Sequence, residues 1–316
     1  MGKITIIGTG NVGATIANNI VTMGLAGEVL LVDIDKEKSY GEAMDIYQGV
    51  SFCAPAIVRS GDFEDAAGSD IVIITSGIGR KPGQTRLELA QTNVNILKQI
   101  TPQIVKAAPD AKYVIVSNPV DILTYVFTKI SGVPESHIIG SGTVLDTARL
   151  QAELAKKMSI SPKNVHAHVY GEHGDSSFVP WSLATIANNH IDEYPDHSPD
   201  KAKINWNSEE DKLKMEEFVR TSGGKIIKAK RATFYAVAIS VCHLIKCLKN
   251  DAGTAVTVST MMHGEYGVDD ICLSTLAMLD ENGVRGKIMN TLTDEEVVRM
   301  QNSAEKLRAV LSQIEL

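Results

Sequence analysis

The sequence predicts an α/β fold, in which a doubly wound parallel sheet is followed by a second, α+β domain. In the first half of the chain, short β-branched runs alternate with longer amphipathic segments, as in repeated strand–helix–strand units. Those short runs are apolar on both faces, which is typical of parallel strands covered by helices on each side. After residue 140 the alternation gives way to longer helical patterns. We therefore divide the chain into domains at residues 1–140 and 141–316.

The same patterns predict the individual elements of the first half. Strands are expected at Lys3–Ile7, Glu28–Asp33, Ile57–Arg59, Ile71–Thr75 and Lys112–Val116. Helices are expected at Val12–Met23, Lys36–Gln48 and Arg86–Ala107.

The second half is predicted to mix helices with fewer strands. Helices are expected at Val144–Met158, at Met215–Lys249 with an interruption near Ser222–Gly224, and at Asp294–Leu316. Strands are expected at Asn164–Tyr170 and, as a pair, at Thr254–Met261 and Ile271–Met278. The segment Asp192–Asp211, rich in Asp, Pro and Lys, is predicted to be a solvated surface loop.

Composition narrows the class of partner. The chain has 316 residues, 44% hydrophobic and 22% charged, which suffices for two globular domains. A net charge of -7 without a block of Lys and Arg excludes sequence-independent nucleic-acid binding. The expected partner is therefore a small molecule. No apolar run approaches the roughly 18 residues of a membrane span and no secretory leader is recognisable, so we expect a cytoplasmic protein.

Metal and disulfide chemistry are not expected. The four cysteines show no CxxC spacing and lie in apolar surroundings, which indicates reduced core thiols. His166 and His168 alternate as on one face of a strand, yet no nearby carboxylate or thiol completes a metal shell.

A glycine-rich loop joins the first predicted strand to the first helix. Gly8, Gly10 and Gly13 have the spacing in which glycines allow a tight turn, close approach of a pyrophosphate and close helix packing. Asp33 ends the second strand about 20 residues later, where an acid binds a ribose diol and repels a 2′-phosphate. The pattern predicts Rossmann-type binding of NAD rather than NADP. A tight turn in an unrelated α/β sheet is the alternative.

His173 lies in a polar, glycine-rich run at residues 169–177, where a side chain is presented at a strand end. A histidine ring there suits general acid–base chemistry, because its ordinary pKa lies near 6.5. Asp146 and Arg149 are three residues apart and face the same side of a predicted helix. Arg80, Arg86 and Asn118 also follow apolar runs. Taken singly, each of these residues is more typical of a surface ion pair than of a catalyst.

Taken together, five motifs resemble the L-lactate/malate dehydrogenase family over essentially the full chain. They are TIIGTGNVG at 5–13, SGIGRKPGQTR at 76–86, VSNPVDILTY at 116–125, GSGTVLDTARL at 140–150 and GEHGDSS at 171–177. The resemblance implies an NAD-dependent enzyme that interconverts a small L-2-hydroxy acid and its 2-keto acid.

The family resemblance also implies residue roles. His173 would donate and accept the proton, Asp146 would orient it, and Arg149 would bind the substrate carboxylate bidentately. Arg86, on a mobile loop, would polarise the reacting carbonyl. Asn118 would hydrogen-bond the substrate oxygen and Thr233 would line the pocket. The implied cofactor contacts are Gly8, Gly10, Asn11, Val12, Gly13, Asp33, Thr75, Ser76, Gly77, Asn93, Val116 and Asn118.

Arg80 occupies the position that resembles the family's substrate discriminator, where lactate-type enzymes carry glutamine and malate-type enzymes carry arginine. Closing the loop over pyruvate would bury an unpaired guanidinium at a cost of about 3–5 kcal/mol, whereas oxaloacetate supplies a counter-charge. The sequence thus predicts malate/oxaloacetate as the substrate pair. Lactate/pyruvate is the alternative, because the neutral positions of GSGTVLDTARL and VSNPVDILTY resemble the lactate branch.

Two positions depart from the family pattern. Gln151 stands where bacterial lactate dehydrogenases activated by fructose 1,6-bisphosphate carry a basic residue, so we expect little activation although His166 is retained. Arg231 stands where relatives usually carry glycine. Family members also assemble through helices that match Lys36–Gln48 and Val144–Met158, which implies a homo-oligomer, a tetramer or else a dimer.

Two other classes of protein are alternatives. A non-catalytic NAD-binding sensor would need the glycine loop but not His173, Asp146, Arg149 and Arg86 together. An NAD- and metal-dependent glycosidase shares the scaffold, yet none of the cysteines lies in a motif that resembles its metal site.

Overall fold

The fold is built around a nine-stranded sheet. The computed structural model describes residues 2–79, 85–251 and 253–315. The strands are β1 (Lys3–Ile7), β2 (Glu28–Val32), β3 (Ile57–Ser60), β4 (Ile71–Ile74), β5 (Lys112–Ile115), β6 (Ile138–Gly140), β7 (Val165–His166), β8 (Thr185–Ile186), β9 (Asn189–His190), β10 (Thr254–His263), β11 (Asp269–Asp280) and β12 (Gly283–Lys287). The helices are α1 (Asn11–Thr22), α2 (Lys36–Gln48), α3 (Arg86–Ala107), α4 (Val120–Ser131), α5 (Val144–Lys157), α6 (Tyr194–His197), α7 (Ser208–Lys230), α8 (Tyr235–Leu248) and α9 (Asp294–Leu311).

The strand order of the large sheet is β12-β11-β10-β6-β5-β4-β1-β2-β3. The six strands from β6 to β3 are parallel, which confirms the predicted doubly wound sheet. The order changes direction between β1 and β4, and ligands of such sheets bind outside the carboxyl ends of the strands at that point. The glycine-rich loop follows β1, so the topology places it at this crevice.

Alternation along the central strands supplies two apolar cores. Ile4 and Ile6 of β1 pack on one face of the sheet, where α1 and α8 cover them, whereas Ile7 packs on the other face against residues of α3 and α4. Strand β4 divides its side chains in the same way, with Ile73 on the first face and Ile74 on the second. Burial on both faces explains why these strands are continuous apolar runs.

The predicted pair of late strands is confirmed as β10 and β11, which are antiparallel. They extend the large sheet, because Ser259 of β10 pairs with Gly140 of β6. Periodicity did not predict α4, α6, β6, β8, β9 or β12. Among the described helices, none is both long enough and apolar enough to span a membrane.

The predicted interruption of the long helical stretch near Ser222–Gly224 was wrong. Helix α7 continues through these residues to Lys230, and the Ser222 hydroxyl donates to the Phe218 carbonyl within the helix. The helix ends at Arg231, whose φ of +75° is left-handed. A positive φ terminates a helix whatever side chain carries it, and sequence patterns anticipate it only at glycine or asparagine.

The segment Asp192–Asp211 is not the plain loop that was predicted. It contains α6 and the first residues of α7. The Asp192 carboxylate accepts hydrogen bonds from the Trp206 ring, the Ser208 hydroxyl and the Lys212 ammonium. This carboxylate therefore organises a segment whose polar composition alone suggested a solvated loop.

The predicted strand Asn164–Tyr170 was too long, since only the two residues of β7 pair as a strand with β8. Side chains of α5 bond to two other backbone groups: the Thr147 hydroxyl accepts from the Val169 amide, and Gln151 donates to the Ala167 carbonyl. Tyr170 pairs with Phe178 in an isolated antiparallel bridge. Hydrogen bonds to a helix therefore replace part of the ladder that alternation led us to expect.

Candidate active site

The glycine-rich loop has the geometry that its spacing predicts. Gly8 has a φ of +98°, and a Cβ there would lie 2.7 Å from the amide nitrogen of Ser76. A Cβ on Gly13 would lie 2.0 Å from the Gly8 carbonyl oxygen. A Cβ on Gly10, in contrast, would have no heavy atom within 4 Å outside its chain neighbours. The loop is thus tightly packed at Gly8 and Gly13, whereas at Gly10 the amino end of α1 is open to an anionic group.

Asp33, directly after β2, is held on the glycine loop. Its carboxylate accepts hydrogen bonds from the Thr9 amide at 2.5 Å, from the Thr9 hydroxyl at 2.9 Å and from the Asp35 amide at 3.0 Å. Partial burial acts to raise the pKa of Asp33, but these donors outweigh it and the pKa is lowered. A fixed anion at this position fits a ribose diol and opposes a 2′-phosphate.

A second wall of the crevice is tied together by two side chains, Thr75 after β4 and Asn93 of α3. The Thr75 hydroxyl donates to the Gly8 carbonyl at 2.7 Å. The Asn93 amide group accepts from the Ile78 amide and donates to the Asn118 carbonyl at 2.7 Å. The other predicted cofactor residues lie in the same segments and are Asn11, Val12, Ser76, Gly77 and Val116. The predicted cofactor residues thus lie at the ends of neighbouring strands and at the start of α1, with Asn93 on α3, and their role in binding stays a prediction.

His173, Asp146 and Arg149 form the polar centre of the site. The Nδ1 atom of His173 lies 2.5 Å from one carboxylate oxygen of Asp146, and Arg149 Nη1 donates to the other oxygen at 2.9 Å. The His173 side chain is 25% exposed and that of Asp146 only 7%, so the ring faces the open side of the pair. With Nδ1 engaged, Nε2 is the nitrogen available to a ligand.

The charge of Asp146 determines the protonation state of His173. Its attraction outweighs the effect of burial and raises the pKa of His173 to about 9. Burial acts to raise the pKa of Asp146 as well, but the neighbouring His173 and Arg149 cations outweigh it and the pKa is lowered. At neutral pH the pair is therefore an imidazolium and a carboxylate, and Nε2 carries a proton that it can donate.

Arg86, the first residue of α3, lies against the loop that carries His173. Its guanidinium forms an ion pair of 2.6 Å with Asp175, two residues after His173, and this contact raises the pKa of Arg86. Both side chains are largely exposed. The helix begins with a capping box, in which Thr85 and Glu88 satisfy each other's backbone amides. The predicted discriminator Arg80 lies outside the described residues.

Two predicted substrate residues stand apart from this cluster. Thr233 lies in the short connection between α7 and α8, and the side chain of Asn118 lies at the exposed end of β5. Within residues 2–79, 85–251 and 253–315, no hydrogen bond or ion pair joins either side chain to His173. Their predicted roles stay predictions.

The backbone of the His173 loop is held by residues that the sequence patterns did not single out. The His173 amide donates to Asp121 of α4 and the Glu172 amide donates to Ser303 of α9. Asp121 carried a detectable signal, because it is the one carboxylate inside the motif VSNPVDILTY and it precedes an apolar run. No feature of the sequence around Ser303 pointed to a role at the site.

The structure accounts for one departure from the family pattern. Arg231 adopts the left-handed conformation at the C-terminus of α7, a position that favours glycine, which is the residue that the family resemblance leads us to expect there. Gln151 is tied to the Ala167 carbonyl, and His166 is exposed. The expectation of weak bisphosphate activation stays a prediction.

In the part of the chain that the structure describes, no group of three or more His, Cys, Asp or Glu side chains is arranged to hold a metal ion. Cys242, Cys247 and Cys272 are buried free thiols, and Cys53 is a half-buried one. Burial raises the pKa of the Cys242 thiol to about 12, so it stays protonated at neutral pH.

Family models match almost the whole chain. Residues 2–140 match the lactate/malate dehydrogenase NAD binding domain, and residues 143–315 match the lactate/malate dehydrogenase alpha/beta C-terminal domain.

Curated relatives and solved structures agree with that match. The chain is 42% identical over 312 residues to L-lactate dehydrogenase 1 of Clostridium acetobutylicum, covering 99% of this chain and 98% of the relative. It is 42% identical over 312 residues to an L-lactate dehydrogenase of Clostridium botulinum, covering 98% and 96%. The crystal structure of the minor L-lactate dehydrogenase from Enterococcus mundtii superposes with a TM-score of 0.93 at 37% identity, covering 100% of this chain and 99% of that one.

Proposed function

The chain belongs to the lactate/malate dehydrogenase family and is an NAD-dependent L-2-hydroxy-acid dehydrogenase, and from that premise we propose that it interconverts L-lactate and pyruvate. One observation carries the choice of acid: relatives named L-lactate dehydrogenase share 42% of their residues with nearly the full chain. The preference for malate that Arg80 suggested is not supported by these relatives. That prediction rested on Arg80 alone, whereas the neutral positions of the other motifs favoured lactate.

The charge around Arg86 supports a monocarboxylic substrate. Asp175 places an exposed carboxylate against Arg86, beside the histidine that receives the substrate. A second substrate carboxylate near this group would be repelled by it, whereas pyruvate has none to place there. Arg80 is the counter-argument, since a second carboxylate would suit its guanidinium.

We propose a division of labour between residues 1–140 and 141–316. The first part holds NAD through the glycine loop, the amino end of α1 and Asp33, which fit a dinucleotide. The second part supplies His173, Asp146 and Arg149. NADH, when bound there, would supply the hydride that reduces the keto carbon of pyruvate.

The remaining steps belong to side chains of this protein. The Arg149 guanidinium anchors the substrate carboxylate. Negative charge develops on the carbonyl oxygen during reduction, and the proton on His173 Nε2 and the Arg86 guanidinium stabilise that charge. The proton then passes from Nε2 to the oxygen, while the Asp146 carboxylate holds Nδ1–H and fixes the ring. In the reverse direction, neutral His173 accepts the hydroxyl proton.

The substrate assignment is tested by steady-state NADH oxidation with pyruvate and with oxaloacetate under identical conditions. We expect kcat/KM for pyruvate to exceed that for oxaloacetate by about tenfold or more, a difference that a charged pocket readily imposes. The variant Arg80→Gln should raise the preference for pyruvate further, while Lys106→Gln, at an exposed position near the end of α3, should leave it unchanged. A larger kcat/KM for oxaloacetate would reject lactate and establish malate as the substrate.

We propose that the protein assembles as a homo-oligomer, a tetramer or else a dimer. Helix α2 leaves Tyr40, Met44 and Tyr47 exposed at helical spacing, and Ile239 of α8 is 54% exposed. Apolar side chains grouped on a helix face are typical of subunit contacts. Sedimentation velocity gives the oligomeric state directly, and a monomer at micromolar concentration would contradict the proposal.

A further inference from the structure

Three consecutive backbone amides of the His173 loop are held by three different elements. The Gly171 amide donates to the Ser274 carbonyl of β11 at 3.0 Å. The Glu172 amide donates to the Ser303 hydroxyl of α9 at 2.8 Å, and the His173 amide donates to the Asp121 carboxylate of α4 at 2.7 Å. Loops usually leave such amides to water, so this one is fixed to the protein on three sides.

Ser303 holds the turn at both ends. Its side chain is fully buried, and its hydroxyl also lies 3.0 Å from the Ser176 hydroxyl, which in turn donates to the Glu172 carboxylate. Gly171 has a φ of +88°, and a Cβ there would lie 2.8 Å from the Ser303 Oγ atom. The loop backbone and α9 are thus in direct contact, and no space remains for the loop to shift toward the helix.

Asp121 is a buried acid whose carboxylate is divided between two partners. It is 2% exposed, and its second oxygen accepts from the Ser259 hydroxyl at 2.6 Å. Burial raises the pKa of Asp121 to about 6, although the Ser259 hydroxyl, the His173 amide and the His173 charge act to lower it. A buried carboxylate is costly, and here its two donors lie on the catalytic loop and on β10.

The charged groups around His173 come from three elements. Asp146 and Arg149 face it from α5 and Asp121 faces it from α4, while Glu172 precedes it in its own loop and lies close enough to Asp121 to interact with it. The two aspartates act in the same direction, because each anion favours the imidazolium form. Asp121 therefore affects the ring electrostatically as well as through the backbone.

We propose that Asp121 and Ser303 are positioning residues for the reaction, which fix the loop backbone so that His173 Nε2 points at the substrate oxygen. The inference rests on the proposed function, in which His173 is the proton donor. Neither residue contacts the substrate; each acts through a backbone amide of the loop. Small displacements of a proton donor lower the rate steeply, which makes the effect measurable.

The test uses two variants of the full-length enzyme with pyruvate and NADH. Ser303→Ala leaves the Glu172 amide without its acceptor, and we expect kcat to fall by about tenfold to 100-fold with an unchanged Kd for NADH. Asp121→Ala leaves the His173 amide without its acceptor, and we expect a fall of kcat by a similar factor. Because the anion is also removed, the fall of kcat/KM at high pH should begin at a lower pH than in the wild type.

Ser312→Ala, at the exposed C-terminal end of α9, is the matched control and should behave as the wild type. Wild-type kcat in both Ser303→Ala and Asp121→Ala would overturn the inference. An equal loss of NADH affinity and of kcat would also overturn it, since that pattern indicates general destabilisation. If His173→Asn is inactive while both variants are normal, the inference alone fails; if His173→Asn is active, the proposed function fails.

Discussion

Replacing His173 with Asn should lower kcat/KM for pyruvate reduction by about 1000-fold, because general acid catalysis of this kind contributes roughly 100-fold to 10,000-fold. The asparagine side chain keeps a donor toward Asp146 but has no proton to transfer to the substrate oxygen. The Kd for NADH should not change, since the glycine loop and Asp33 lie in another part of the crevice. Stopped-flow measurement of NADH oxidation and fluorescence titration of NADH give the two quantities.

A matched control for this variant is His263→Asn. That histidine is 58% exposed, and its Nε2 atom lies 2.6 Å from a Glu135 carboxylate oxygen on the surface. The His263→Asn variant should therefore have the turnover of the wild type. Full turnover in His173→Asn would show that a group other than His173 donates the proton to the substrate oxygen.

The second large effect is expected from Arg149→Lys. A lysine retains the positive charge beside Asp146 but cannot make two parallel hydrogen bonds to a carboxylate, so KM for pyruvate should rise by about 100-fold. Because the charge next to Asp146 is kept, the electrostatic environment of His173 stays similar. The loss should therefore appear in KM more than in kcat.

The control for this variant is Arg285→Lys, whose exposed guanidinium lies 3.4 Å from the buried Asp280 carboxylate. Lysine keeps the positive charge there, and among the described residues no hydrogen bond or ion pair joins Arg285 to Arg149, so KM should remain that of the wild type. An unchanged KM in Arg149→Lys would show that another group anchors the substrate carboxylate.

Sequence patterns predicted those parts of the protein whose conformation is determined by neighbouring residues along the chain. Gly8, Gly10, Gly13 and Asp33 belong to one strand–helix–strand unit, and each conformation follows from neighbours along the chain. The apolar runs of β1 and β4 likewise predicted a sheet buried on both faces. His173, Asp146 and Arg149 were predicted from motifs, and the structure brings them together.

What the patterns missed depends on tertiary packing. The Ser303 hydroxyl and the Glu172 amide are 131 residues apart, and Asp121 and the His173 amide are 52 apart. No local spacing predicts such contacts. The two glycines in α7 suggested a break, but the helix ends only at Arg231. Helix propensities did not predict that end, because a left-handed arginine carries a strain of about 1 kcal/mol and is therefore rarely expected.

The pH dependence of kcat/KM for pyruvate reduction tests the central claim most directly, because it reports the ionisation of the proton donor before substrate binds. Reduction requires protonated His173, whose pKa is raised to about 9 by Asp146. The account predicts a constant kcat/KM across neutral pH and a fall through about pH 9, with lactate oxidation rising over the same interval. A fall centred near the ordinary histidine pKa of about 6.5 would contradict it.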